Sequence, residues 1–225
     1  MKIGTDGVLL GAWVSIKNNP FSILDIGAGT GIIALQWAQR SHAELIDALE
    51  IDENAYEQCV DNFENSPWGD RLFCYHASLE EFVEEIEDKY DLIISNPPFY
   101  SEDYKTPNES RDIARFSDAL PFDELIESAS QLLSDEGIFA VIIPRKEEEN
   151  FIKMASEVNL FPRRICRVRG TETSRHGGQA EEKRSMLEFS FKKISPKIEN
   201  LTIEISRHNY TEEYKNLVQD FYLKM

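Results

Sequence analysis

Phe21-Ser22-Ile23-Leu24-Asp25-Ile26-Gly27-Ala28-Gly29-Thr30-Gly31, continued by Ile32-Ile33-Ala34-Leu35-Gln36-Trp37-Ala38, reads as strand, glycine turn and helix. The apolar run stops where the glycines begin, and a helix-forming run opens directly behind them. Glycines in that position let the backbone approach a ligand and present the first N–H groups of the helix to it. Downstream, Glu44 to Leu49 gives a second strand ending at Glu50, followed by Ile51-Asp52 and a helix over 53–64. Arg71 to His76 is a third strand, 79–88 a charged helix and Tyr90 to Ser95 a fourth strand. Helix 122–133, strand 137–143 and helix 146–158 follow, with Gly137 marking the turn between the first two. Segments 161–169 and 184–193 read as strands joined by a loop, Leu201 to Ser206 as another strand, and 212–223 as a closing helix. At the other end, Asp6 is placed to cap a short buried helix formed by Val8 to Trp13. Strands alternating with helices predict an α/β fold with a doubly wound, Rossmann-like sheet, mostly parallel with an antiparallel edge strand. A single domain spans 1–225: an N-terminal helix region (1–20), a ligand-binding core (21–158), and C-terminal strands and helix (159–225).

Composition narrows the function classes. No apolar run approaches the ~18–20 residues of a membrane span, and no cationic start with an apolar run behind it suggests a signal peptide. Cys59, Cys74 and Cys166 are scattered without a CxxC pair, so they read as free thiols in a cytoplasmic protein without a metal. The four histidines (His42, His76, His176, His208) are unclustered and no Ser/His/Asp set is visible. Net charge is −17, from 41 acidic and 24 basic residues, which argues against a polyanionic partner. The distribution is uneven, though. An acidic block covers 80–91, whereas 163–184 carries Arg163, Arg164, Arg167, Arg169, Arg175, Lys183 and Arg184.

The glycine turn fits two cofactors by spacing. Gly29-x-Gly31-x-x-Ala34, with Glu50 some twenty residues on, matches a dinucleotide fingerprint. Electrostatics favour the other: Asp25 would repel a pyrophosphate but welcomes the sulfonium and ammonium of S-adenosylmethionine. Asp25 also has a plain role as a cap of the following helix. Asp-x-Gly-x-Gly-x-Gly with an acidic second-strand end resembles the class I methyltransferase pattern.

The fourth strand ends at Asn96-Pro97-Pro98-Phe99-Tyr100. Proline lacks an N–H and fixes its own φ, so the strand cannot pass Pro97 and Pro98. The result is a stiff corner at the carboxyl end of a strand, where open α/β sheets bind ligands. An amino group on an aromatic ring or a carbonyl has a delocalised lone pair and is hard to methylate. The Asn96 side-chain oxygen and the Pro97 carbonyl are suited to grip its N–H groups while Phe99 stacks on the flat group. Attack on the methyl carbon is an in-line displacement, in which positioning does most of the work. Asn-Pro-Pro-Phe/Tyr resembles the motif shared by adenine-N6, some guanine-N2 and protein glutamine-N5 methyltransferases.

Several blocks together resemble the bacterial valine-tRNA adenine-37 N6-methyltransferase family. They are Met1 to Trp13, Leu24 to Gly29, Asn62 to Trp68, Asp91 to Tyr100, and Asn209 to Met225. The resemblance implies methyl transfer from S-adenosylmethionine to an adenine in a tRNA anticodon loop; no obligate protein partner is inferred from the sequence. It places Thr5, Asp6, Asp25, Gly27, Ala28, Gly29, Gly31, Glu50, Ile51, Ser78 and Asn96 against the cofactor. Ser78 stands where the family usually has an acidic residue. The family also usually carries a short Phe-, Lys- and Gln-rich stretch ahead of the position of Met1. Pro98, Tyr100, Arg111, Arg115, Arg163 and Arg164 are the candidates for substrate contact, the last two on a possible RNA-binding edge. A protein glutamine-N5 enzyme, an rRNA guanine-N2 enzyme and a non-catalytic RNA-binding scaffold are the alternatives; a nicotinamide oxidoreductase is more distant.

Overall fold

The computed structural model describes residues 4–98, 120–173, 178 and 180–223. The chain begins with α1 (Thr5–Trp13), then alternates β1 (Ser22–Ile26), α2 (Ile32–Arg40), β2 (Leu45–Glu50), α3 (Glu53–Glu64), β3 (Leu72–His76), α4 (Leu79–Glu85) and β4 (Tyr90–Ser95). After the undescribed segment come α5 (Phe122–Leu132), β5 (Leu133–Pro144), α6 (Glu148–Glu157), β6 (Phe161–Thr171), β7 (Glu182–Ser190), β8 (Lys197–Ser206), β9 (Asn209–Tyr210) and α7 (Glu212–Val218).

Among the described residues the strands form a nine-stranded sheet in the order β3-β2-β1-β4-β5-β7-β6-β8-β9. The first five are parallel, as the sequence predicts. The antiparallel part is wider than one strand. β7 inserts antiparallel between β5 and β6, while β8 runs parallel to β6 and antiparallel to β9.

Both faces of the central strands are covered, so their sequences read as continuous apolar runs. Alternation along each strand sorts them into two cores. Ile23, Leu92, Ile94, Ile138, Ala140 and Ile142 face Leu9, Trp37, Tyr214 and Val218 on one side. Leu24, Ile26, Ile93, Phe139, Val141 and Ile143 face Phe82, Leu125, Ile126 and Phe151 on the other. No helix among the described residues is long and apolar enough to cross a membrane.

Local signals set several boundaries. The Asp52 side chain accepts from the Ala55 N–H and starts α3. Ser78 and Glu81 form a reciprocal capping box that starts α4. Two expectations need correction. Asp6 is not the cap of α1: Gly4 is, without a side-chain bond, and Asp6 lies within the first turn. Gly137 is not a turn between α5 and the next strand, because β5 already begins at Leu133. The pairing of β4 with β5 shifts register between Tyr90 and Leu92, opposite the segment that contains Gly137. A Cβ on Gly137 would lie 2.8 Å from the Leu133 side chain and 2.9 Å from the Ser134 carbonyl, so close approach explains this glycine.

Candidate active site

β1 and β4 are parallel neighbours with Ile26 opposite Ser95, and the Ser95 hydroxyl donates to the Ile26 carbonyl at 2.9 Å. Gly27 and Asn96 therefore leave the sheet side by side. This is the switch point of the doubly wound half, with β2 and β3 on one side and β5 on the other.

The turn after β1 needs its glycines. Gly27, Gly29 and Gly31 have φ of 72°, 59° and 77°, in the left-handed region. The Gly27 and Ala28 N–H groups donate to the Leu49 carbonyl at 3.0 and 2.9 Å, tying the turn to β2. Glu50 reinforces that tie: its carboxylate accepts from the Gly29 N–H at 2.7 Å and from the Asp52 N–H at 2.9 Å. A Cβ on Gly27 would meet nothing within 4 Å, so this side of the turn is open. At Gly31 the same atom would lie 2.5 Å from the Phe63 ring and 2.7 Å from the Cys59 sulfur. Gly31→Ala is expected to cost about 2–3 kcal/mol from overpacking and an unfavourable φ. A denaturant midpoint matching that of the wild type would contradict the close packing.

Asp25 is fully buried on β1. One carboxylate oxygen accepts from the Ala34 N–H of α2 at 3.1 Å, which satisfies an otherwise orphaned helix donor. The other, Oδ1, has no partner. Loss of hydration pushes the carboxyl up to about 7; the Ala34 N–H opposes the rise and the Glu50 charge adds to it. The capping reading of Asp25 is visible in this side chain; its second oxygen is buried and lacks a partner.

Beyond β2, Ile51 is 61% exposed and gives an apolar surface next to Glu50. The His76 ring, stacked on Tyr56 at 5.0 Å, lies 3.0 Å from the Ile51 carbonyl and supports that loop. Ser78 is already engaged: its hydroxyl accepts from the Glu81 N–H at 3.2 Å and donates to the Glu81 carboxylate at 2.9 Å. It lies beyond the end of β3, but its side chain serves the cap of α4.

Asn96 is half-buried, Pro97 buried and Pro98 exposed. The wall facing Asn96 is α1, where a Cβ on Gly7 would lie 3.6 Å from Asn96 Nδ2. Thr5 is exposed at the start of that helix, and Asp6 pairs with Arg184 of β7 at 2.7 Å. Sequence reasoning did not select Gly7 or Arg184 for the site: Gly7 lies within the Met1 to Trp13 block and Arg184 within the basic 163–184 segment, but nothing local to either names its neighbour. Phe99, Tyr100, Arg111 and Arg115 lie outside the described residues.

Arg163 and Arg164 are not brought to this corner. The ladder places Ser95, Val141, Leu187 and Ile165 in one row across the sheet. β6 runs in the direction of β5, so the arginines ahead of Ile165 point back toward the amino end of the sheet. Arg163 lines a cavity of about 430 Å³ there with Asp91, the second residue of β4, and Asp135. Arg164 binds Glu199 at 2.9 Å, donates to the Trp13 carbonyl at 3.0 Å and stacks 4.2 Å from the Trp13 ring. Arg167 pairs with buried Glu148 at 2.8 Å and Arg169 with Glu182 at 2.6 Å. The arginine-rich strand is largely neutralised within the chain.

These features fit a phosphate-free, cationic nucleoside cofactor. The unpartnered Asp25 oxygen and Glu50 supply negative charge, Ile51 an apolar face, and Gly27 open space.

Comparison with known proteins agrees with this geometry. The family model for the methyltransferase small domain matches residues 9–161. Two proteins named tRNA1(Val) (adenine(37)-N6)-methyltransferase align over 100% of this chain. That of Flavobacterium johnsoniae is 64% identical, with 94% of its length covered, and that of Christiangramia forsetii is 65% identical, with 92% covered. A more distant one, from Parabacteroides distasonis, is 42% identical over 100% of this chain and 92% of its own. Among solved structures, a predicted O-methyltransferase of Agrobacterium tumefaciens superposes with a TM-score of 0.68 at 17% identity, over 96% of both chains. A putative RNA methyltransferase of Pyrococcus horikoshii gives 0.55 at 16% identity, over 81% of this chain and 83% of that one. At such identities these two structures establish the class I methyltransferase fold. A family model covering most of the chain, together with full-length relatives near two-thirds identity, makes this chain a member of the tRNA1(Val) (adenine(37)-N6)-methyltransferase family.

Proposed function

We propose that this chain transfers the methyl group of S-adenosylmethionine to N6 of adenine 37 in the anticodon loop of tRNA1(Val). The observation that carries the reading is the position of Asn96-Pro97-Pro98, which emerges beside the glycine turn and beneath α1. The names of the full-length relatives supply the substrate.

When bound, S-adenosylmethionine supplies an electrophilic methyl carbon on a sulfonium, whose sulfur departs as a neutral thioether. Asp25 and Glu50 would balance the cofactor's positive charge, and Ile51 would offer an apolar face to its base. The target adenine must leave its stack to reach the site. The Asn96 side-chain oxygen and the Pro97 carbonyl accept its N6–H groups and aim the nitrogen lone pair at the methyl carbon; the sequence assigns the stacking role to Phe99. As the N–C bond forms, positive charge grows on N6 and strengthens those two hydrogen bonds; the surplus proton then leaves to solvent. No general base is required, because alignment and charge stabilisation supply the catalysis. Phosphate contacts would position the tRNA without specifying it. We assign the reaction to the cytoplasm on the strength of the proposed tRNA substrate.

Mass spectrometry of tRNA nucleosides from cells with and without the gene tests this reading. Loss of N6-methyladenosine from one valine tRNA is the expected result. Unchanged tRNA, with lost glutamine methylation in a release factor or ribosomal protein, would overturn it.

A further inference from the structure

α1 is held unevenly. From Val8 onward it is tied down repeatedly. Gln36 donates to the Val8 carbonyl at 3.1 Å, and Arg40 donates to the Gly11 and Val14 carbonyls. The Trp13 indole donates to Glu199 at 3.2 Å, and Glu188 accepts from the Ser15 N–H at 3.0 Å. The first turn is different. Its cap, Gly4, contributes no side-chain bond, and the Val8 N–H reaches the Gly4 carbonyl only at 3.5 Å. Yet this turn carries Gly7, whose backbone borders Asn96 closely enough that an added Cβ would lie 3.6 Å from Asn96 Nδ2. Its side-chain anchor is the Asp6–Arg184 pair, in which Arg184 Nε donates to Asp6 at 2.7 Å. Arg184 stands near the start of β7, paired across the sheet with Pro144 and Val168, and so belongs to the rigid rim of the site.

We infer that Asp6 and Arg184 are positioning residues acting as one unit: Arg184 holds the first turn of α1 against the sheet, and that turn, through the Gly7 backbone bordering Asn96, limits where the Asn96 side chain can lie during catalysis. The inference deepens the methyltransferase reading and rests on it for its kinetic consequence. It gives Asp6 a different task from direct cofactor contact. It also explains a charged pair at a place where exposure of 34% and 29% leaves little net stability to gain. A helix turn that drifts by a fraction of an ångström leaves the fold intact but misaligns the acceptor of the N6 protons.

The test is a double-mutant cycle on the full chain with Asp6→Asn, Arg184→Gln and the double variant, plus Arg184→Lys. Three quantities are read: kcat and KM on unmodified tRNA, the Kd for S-adenosylmethionine by calorimetry, and amide hydrogen exchange of residues 5–10. Each single variant is expected to lower kcat on the order of tenfold, with cofactor Kd within about twofold, and the double variant should be no worse than either. Exchange in the first turn should speed up equally in all three, and Arg184→Lys should recover most of the kcat. Raising salt should bring the wild type toward the variants, because the pair is half-exposed.

Additive losses, or loss of cofactor binding in Asp6→Asn alone, would make Asp6 a cofactor ligand and overturn the inference. A raised tRNA KM with unchanged kcat in Arg184→Gln would make Arg184 a phosphate contact and overturn it equally. Unchanged exchange would do so whatever the substrate. A wild-type protein that binds the cofactor but leaves unmodified tRNA unlabelled would instead defeat the functional reading, and hydrogen exchange would still decide on the pair.

Discussion

Asn96→Ala is expected to lower kcat for methyl transfer to unmodified tRNA by about 10²–10³-fold while leaving the Kd for S-adenosylmethionine within about twofold. The size follows from where charge develops. In free adenine the N6 lone pair is delocalised into the ring, so N6 is a weak acid and a weaker nucleophile. In the transition state that pair is committed to the methyl carbon and N6 becomes cationic. An acceptor fixed on its N–H bond then interacts far more strongly than in the ground state, which is the condition for raising kcat rather than only lowering KM. The fixing is structural. Ser95, one residue earlier, is bound to the Ile26 carbonyl, Pro97 is buried immediately after, and Gly7 closes the third side. Asn96→Asp keeps an acceptor and adds charge, and is expected to fall between wild type and alanine. Single-turnover rates on tRNA, with cofactor binding measured separately, check both. An alanine variant with a normal single-turnover rate and only a raised KM would show that Asn96 merely holds the substrate.

The residues that end elements were the most legible part of the chain. The break after β1 is written as glycines that need positive φ, and the end of β4 as two prolines. Asp52 caps α3, which runs over Glu53–Glu64 as the sequence predicts. Such signals act within a few residues and need no knowledge of the rest of the fold. Pairing across the sheet is another matter. β7 follows β6 in sequence yet lies between β5 and β6, and nothing within either strand states which neighbour it will meet. The same gap hid the end of the sheet at which Arg163 and Arg164 fall. Alternation says which residues share a face, but only the direction of β6 in the sheet says at which end they fall. Asp6 failed for a related reason: it is a plausible cap by local rules, and its partner, Arg184, stands 178 residues away.

Asp25→Asn is expected to separate stability from cofactor binding in opposite directions. The wild-type carboxyl is fully buried and pushed from 3.8 up to about 7, chiefly by lost hydration. A raised carboxyl favours the protonated native state. Its stabilising contribution is complete below about pH 4, the unfolded value, and is lost as pH rises through about 7. A shift of about three pKa units corresponds to about 4 kcal/mol once the group is fully ionised. Asparagine carries no charge, and its oxygen still accepts from the Ala34 N–H, but its amide N–H2 takes the place of the unpartnered Oδ1 at a cost of about 1–3 kcal/mol, so at pH 8 the variant should be more stable by about 1–3 kcal/mol. Asp47, buried and pushed up to about 6 by lost hydration with its Tyr90 hydrogen bond opposing, remains in both proteins. It gives both a shallower fall in stability up to about pH 6. Cofactor binding should move the other way. A cation bound at the neighbouring glycine turn favours the ionised form through space, so wild-type affinity should rise with pH up to about 7, and binding below that pH should release a proton. The variant should bind about tenfold more weakly, for want of the buried negative charge behind the glycine turn, and release none from this site. Calorimetry in buffers of different ionisation enthalpy reads the proton directly, and urea midpoints between pH 4 and 8 read the stability. If the variant bound as tightly and with the same buffer-dependent heat as wild type, Asp25 would be no more than the cap of α2, and the negative charge met by the cofactor would have to come from Glu50.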